Sequence, residues 1–235
     1  MCNLYSMTSN KDAIRELARF MKATSAVDNL QAMPAIFANG WGPVVRNTSE
    51  GRELAMTRWG MPSPKFALEG KSYDSGVTNV RNTASPHWRR YLGVESRCVV
   101  PATSFCEPDQ ASGSKQNTWF ALDETRPLFF FAGIWTPQWT SVRKMKDGET
   151  TDDLYAFLTT EANAEVKAIH PKAMPVFLRN AEEVETWLTA PTEEALKLQR
   201  PLPDAALKIV ARGTKLDRPG DDNGQAPSPA QASLF

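Results

Sequence analysis

The second residue carries the most distinctive chemistry in this chain. Cys2 directly follows Met1, and methionine ahead of a small residue is normally trimmed. Its loss would leave a 1,2-aminothiol, with an amine titrating near ~7.7–8.0 and a thiol near ~8.5, so both nucleophiles are accessible close to neutrality. An aldehyde meeting such a group condenses with the amine to an imine, and the thiol can then close a five-membered thiazolidine ring. No other side chain at position 2 offers this. The competing reading of the position alone is an incidental cysteine.

Three further groups suit proton transfer or anchoring. Glu107 lies in the apolar stretch from Phe105 to Pro108. Desolvation there would raise its pKa toward the range that acid–base chemistry uses, and a structural ion pair is the alternative. His170, just before Pro171, falls on a turn after a helical segment; it is one of only two histidines, and a cap or core role competes with a catalytic one. His87, beside Arg89 and Arg90, reads as surface. Asn79 and Arg81 share a polar extended segment with Thr78, Asn82 and Thr83, where alternate residues point the same way. An amide there can orient an amine while a guanidinium holds a phosphate, although turn chemistry would also explain these residues. Trp59, followed by Gly60, Met61 and Pro62, ends a strand in a rigid turn. An exposed indole in that place would stack on a base, and a buried one would pack.

The elements that must position these groups can be read from patterning. Ser9, ahead of apolar residues at helical spacing, marks a first helix as its cap, carried by Ile14, Leu17, Ala18 and Met21. Short β-branched or aromatic runs bounded by Gly, Pro, Asn or Asp predict strands over residues 2–7, 43–46, 53–59, 98–101, 118–122, 128–135, 155–159 and 206–211. Helices are predicted over 162–169 and 181–188, the latter capped by Asn180 with Glu183 three residues on, and Thr192 is a candidate cap for another. Strands and helices do not alternate regularly, so a doubly wound sheet is excluded. The pattern predicts an α+β single domain with a curved, barrel-like, mostly antiparallel sheet flanked by short helices. It would span residues 1–216, with a disordered tail over 217–235, where Pro, Gly, Asp, Ala and Ser dominate.

Composition narrows the function class. With 41% hydrophobic and 23% charged residues in 235, the chain is ordinary globular material. Seventeen prolines argue against a helical bundle. Net charge is zero, but nine Lys and Arg face five acids between Trp41 and Val100, while nine acids face six bases from Ala181 onward. A basic half beside an acidic one suits a polyanion groove. Three cysteines (Cys2, Cys98, Cys106) without a CxxC pair point away from disulfides and zinc, and Cys98 and Cys106 read as packing residues. No metal or organic cofactor is expected. The start of the chain lacks a signal-peptide pattern and no run suits a bilayer span, so a cytoplasmic, membrane-free protein is expected.

Six stretches together resemble one known family. They are Cys2 at the start, Trp59–Pro62, Asn79–Arg81, Arg97–Pro108, Ala132–Trp135, and Leu158–Pro175. Their order and spacing are similar to those of the SOS response-associated peptidase (SRAP) family, the abasic site processing proteins, over about three quarters of the chain. The resemblance implies covalent attachment of Cys2 to abasic sites in single-stranded DNA, with Asn79 orienting the amine, Glu107 shuttling protons and His170 assisting opening of the sugar. It further implies phosphate contact by Arg81 and packing of Trp59, Met61 and Pro62 against bases. Peptidase activity limited to removal of Met1, and lyase-type chemistry, also follow from the resemblance. A monomer associated with the nucleoid when on DNA is expected. Two other readings stay open, a cysteine peptidase and a non-covalent single-strand binder. The chain departs from the family's usual pattern at Asn3 and Leu4, at Cys106 and Pro108, at Thr83, and at Pro171–Ala173, where one residue is extra and Lys172 replaces arginine.

Overall fold

The computed structural model describes residues 2–19, 22–24 and 27–218. The first half of the chain supplies β1 (Leu4–Met7), α1 (Lys11–Ala18), β2 (Lys22–Ala23), β3 (Met33–Phe37), β4 (Trp41–Thr48), β5 (Gly51–Trp59), α2 (Lys65–Leu68), β6 (Asn79–Val80), α3 (Pro86–Arg89), β7 (Arg97–Ala102) and β8 (Ser104–Pro108). The second half supplies β9 (Asn117–Ala121), β10 (Phe129–Lys144), β11 (Gly148–Thr160), α4 (Ala164–Lys167), β12 (Met174–Pro175), β13 (Phe177–Leu178), α5 (Ala181–Thr189), α6 (Thr192–Ala195) and β14 (Lys208–Arg212).

Five strands close on themselves. The order β11-β10-β7-β4-β5 is antiparallel throughout. The ring is completed by a parallel contact of β5 with β11, Arg58 opposite Leu154 and Trp59 opposite Tyr155. Closure leaves no free edge in the ring. A second sheet, β14-β9-β8-β1-β3, packs alongside with the amino-terminal strand β1 inside it. The α+β, barrel-like, single-domain architecture expected from patterning is the one observed.

The two sheets meet through aromatic side chains. Tyr5 of β1 sets its ring edge-on to Trp59, Phe131 and Phe157 at centroid distances of 5.2, 6.2 and 6.0 Å. Its hydroxyl bonds Tyr155 at 2.6 Å. Gly42 lies against this pair, and a Cβ there would come within 2.4 Å of the Tyr5 oxygen. Such edge-to-face clusters bury large apolar area with favourable quadrupole geometry.

Several boundaries differ from the sequence reading, each for a local reason. The cap of α1 is Asn10, not Ser9, because the Asn10 side-chain Oδ1 accepts from Ala13 N at 2.9 Å. Met21, placed on that helix, lies outside the described residues. Thr192 begins α6 after Pro191 instead of capping it, and its hydroxyl donates to Leu92 O at 3.1 Å. The cap of α5 is Asn180, as read, accepting from Glu183 N at 2.9 Å. β10 runs to Lys144 and β11 starts at Gly148, far beyond the apolar cores of both strands. Their polar outer arms pair with each other, Thr140 touching Thr151 hydroxyl to hydroxyl at 2.7 Å. Asp217, assigned to the tail, belongs to the fold: it is 1% exposed, bonded to Arg126 Nε at 2.9 Å and to Ser104 Oγ at 2.5 Å. Residues 219–235 lie outside the described part. Among the described residues, no helix is long and apolar enough to cross a membrane.

Candidate functional site

Cys2 enters β1, which lies between β3 and β8. The register pairs Tyr5 with Phe105 and Leu4 with Cys106, so the chain running back toward Cys2 follows β8 forward toward Glu107. Cys2 is buried, and its thiol lies 3.4 Å from Leu4 O. Asn79 arrives on β6, docked in parallel on β11. Its Nδ2 donates to Cys2 O at 2.7 Å and to Thr78 Oγ1 at 2.8 Å. Its Oδ1 is buried and has no hydrogen-bond partner among the described residues.

His170 follows α4, a short helix capped by Asn163 Oδ1, which accepts from Val166 N at 3.3 Å. The His170 backbone N–H donates to Val166 O at 2.6 Å, which turns the chain inward. The His170 Nδ1 atom comes within 3.7 Å of Glu107 Oε2. Glu107 is 0% and His170 1% exposed. The sequence thus named four buried residues, Cys2, Asn79, Glu107 and His170, that the fold brings together from four separate segments.

Burial sets the protonation states. It pushes the Glu107 carboxyl from its ordinary 4.5 up to about 7, with the positive charge of the amino terminus pulling the other way. It also pushes the His170 imidazole down to about 4, and here the amino-terminal charge and Lys172 add to the effect. The Cys2 thiol is raised well above its ordinary value, first by burial and then by the Glu107 charge. Near neutrality the imidazole is neutral, the thiol holds its proton, and the carboxyl is close to half-ionised. A carboxyl poised this way can both give and take a proton at pH 7.

The remaining named residues sit differently. Arg81 is exposed, and its Nη1 donates to Lys172 O at 2.5 Å, which places two basic side chains beside the His170 turn. Trp59, Met61 and Pro62 are all buried. The Trp59 indole N–H donates to Thr78 O at 3.0 Å, and its ring stacks on Phe157 at 5.0 Å. None of the three offers a face to a base. The expectation of base stacking is therefore corrected: the end of β5 faces the barrel interior because β5 closes the ring there. His87 is half-buried, with Nε2 2.9 Å from Pro62 O, not a surface residue. Cys98 and Cys106 are buried free cysteines, consistent with packing. Thr78 and Asn3 were given no site role by sequence, yet Thr78 Oγ1 lies 3.0 Å from Asn3 Oδ1. Their only signal was adjacency to Asn79 and Cys2. Among the described residues no group of three or more His, Cys, Asp or Glu is placed to hold a metal ion.

A closed five-stranded barrel with a second sheet alongside it is a fold with solved counterparts. A protein from Bordetella bronchiseptica matches with a TM-score of 0.66 at 24% identity, covering 88% of this chain and 97% of that one. Another from Bacteroides thetaiotaomicron matches with a TM-score of 0.65 at 22% identity, covering 88% and 90%. The sequence itself decides the family: residues 1–218 match the family model described as SOS response associated peptidase (SRAP), and the chain belongs to that family. Two relatives carry names that describe an activity. The chain is 30% identical over 190 residues to the abasic site processing protein HMCES of Gallus gallus, covering 69% of this chain and 54% of that protein. It is 31% identical over 145 residues to the abasic site processing protein YoaM of Bacillus subtilis (strain 168), covering 60% and 59%. The chain therefore spans little more than half the length of either.

Proposed function

We propose that this protein processes abasic sites in single-stranded DNA by bonding covalently to them through Cys2 after loss of Met1. The observation that carries the reading is the Asn79 amide fixed on the Cys2 carbonyl at 2.7 Å, in a buried site with a carboxyl poised near neutrality. The names of the two relatives point to the same lesion.

The chemistry follows from the protonation states. Neutral His170 takes the proton of the sugar hydroxyl and returns it to the ring oxygen as the carbon–ring-oxygen bond breaks, opening the sugar to the aldehyde. The α-amine of Cys2 attacks that carbonyl carbon, and protonated Glu107 donates to the departing hydroxyl, so water leaves and an imine remains. The thiol then adds to the imine carbon. Its proton passes to the Glu107 carboxylate as sulfur bonds carbon, the ring nitrogen takes back the proton that the amine released on forming the imine, and the product is a thiazolidine plus one water. Amine attack comes first because burial keeps the thiol protonated. The same burial argues against a general cysteine peptidase, whose thiolate must form before substrate attack. Exposed Arg81 serves a flanking phosphate, and the sequence of steps uses no metal or organic cofactor.

Incubation with an abasic single-stranded oligonucleotide, followed by denaturing electrophoresis and intact mass, tests this directly. The expected product has the mass of the protein less methionine plus the oligonucleotide less one water. A complex that dissolves fully in denaturant would leave only a non-covalent binder.

A further inference from the structure

The Asn79 amide is held by a relay that reaches the residue next to Cys2. An amide nitrogen has two protons, and those of Asn79 go to Cys2 O at 2.7 Å and Thr78 Oγ1 at 2.8 Å. A hydroxyl has one proton and lone pairs that accept. Because Thr78 Oγ1 accepts from Asn79, its own proton is available to Asn3 Oδ1, 3.0 Å away, and a carbonyl oxygen there can only accept. The direction of the chain of bonds is thereby settled: Asn79 to Thr78 to Asn3.

This direction decides which end of the Asn79 amide is open. Rotating the amide by half a turn would set its oxygen against the Cys2 carbonyl oxygen. Thr78 would have to turn its proton back toward Asn79 and give up its bond to the exposed Asn3 side chain. The observed orientation satisfies all three and leaves Asn79 Oδ1 as the open, buried acceptor. The backbone is pinned on both sides of the Asn3 α-carbon. Asn79 holds the Cys2 carbonyl, and the Asn3 carbonyl accepts from Ala38 N at 3.2 Å.

We propose that Thr78 and Asn3 are positioning residues that lock the Asn79 amide and the Cys2–Asn3 peptide into the one arrangement from which the Cys2 amine reacts. What the amine reacts with rests on the function proposed above. The role is geometric: neither residue touches the reacting carbon, and a misplacement on the order of 1 Å costs about 100-fold in rate.

Thr78→Val keeps the shape and removes the hydroxyl, while Thr78→Ser keeps the hydroxyl. Thr78→Val is expected to slow single-turnover crosslinking at saturating abasic oligonucleotide by about 10- to 100-fold, with melting temperature and affinity for an undamaged strand unchanged. Thr78→Ser should restore the rate, and Asn3→Ala should lower it in the same direction as Thr78→Val. Wild-type rates in Thr78→Val, or equal losses in the Ser and Val variants, overturn the relay, as does a loss that tracks melting temperature and affinity. A second arm needs no DNA: the side-chain amide resonances of Asn79 in the free protein should move in Thr78→Val and stay in Thr78→Ser. If the wild-type protein forms no crosslink, the functional reading falls. The resonances then still decide the relay, displaced in Val alone supporting it and unmoved overturning it.

Discussion

Replacing Glu107 by glutamine separates a raised carboxyl pKa from a merely structural acid, because the two predict opposite pH behaviour. Glu107 is 0% exposed and its carboxyl titrates at about 7 when folded, against an ordinary 4.5. Below 4.5 both folded and unfolded chains hold the proton, and the carboxyl costs nothing. Between 4.5 and 7 the unfolded chain ionises first, so stability falls as pH rises. Above 7 the loss is complete, at about 3 kcal/mol for a displacement of this size. Glutamine cannot ionise and escapes this loss. The stability of Glu107→Gln relative to wild type should therefore improve by about 3 kcal/mol between pH 4 and pH 8, measured by denaturant unfolding across that range. On the same preparations, crosslinking should slow by about 10- to 10⁴-fold, the span usual for a lost general acid–base group. A stability difference that stays flat with pH would mean that burial has not displaced the carboxyl, and the acid–base assignment would lose its physical basis. Wild-type crosslinking in the variant would refute the assignment outright.

Other outcomes follow from the same geometry. Cys2→Ser should abolish the heat-stable adduct formed without reductant, since serine keeps an amine able to form an imine but has no sulfur to close the ring; a normal yield of stable adduct would rule out the thiazolidine. Arg81→Ala should weaken DNA affinity more than the rate at saturating DNA, and should reduce the salt slope of binding by about one unit; an unchanged slope would make its bond to Lys172 O purely structural. Asp217→Ala should cost about 3–5 kcal/mol, because it removes one side of a buried ion pair with the Arg126 guanidinium. Thermal unfolding within about 1 kcal/mol of wild type would show that water replaces the carboxylate there.

Local chemistry was more legible in the sequence than closure. Cys2, Asn79, Glu107 and His170 each carried a competing structural reading, and it was the order and spacing of the motifs around them that singled them out together; the fold does gather them. The helix over Ala181–Thr189 was legible because its cap is local. Closure of the ring was not, since the parallel contact of β5 with β11 joins residues nearly a hundred positions apart and has no turn to announce it. That omission also left Trp59 open between exposure and burial, which only its place at the closure of the barrel decides. The outer arms of β10 and β11 escaped notice because they are polar on both faces and pair with each other. Asp217 was lost in a stretch whose composition is that of a loose tail, although its carboxylate is buried. Thr78 and Asn3 carry no unusual type at all, and their hydrogen bond forms only once the segments that precede β1 and β6 meet.

The place of β1 has a consequence for the order of events during synthesis. The first strand made is an interior strand of its sheet, flanked by β3 and β8, and β8 is anchored through Ser104 to Asp217, more than a hundred residues later. Until those partners emerge from the ribosome, β1 has no neighbouring strand to pair with. Once they arrive, Cys2 is 1% exposed. Burial of Cys2 therefore waits on chain made long after it, and the residue that enters β1 is among the last to be enclosed.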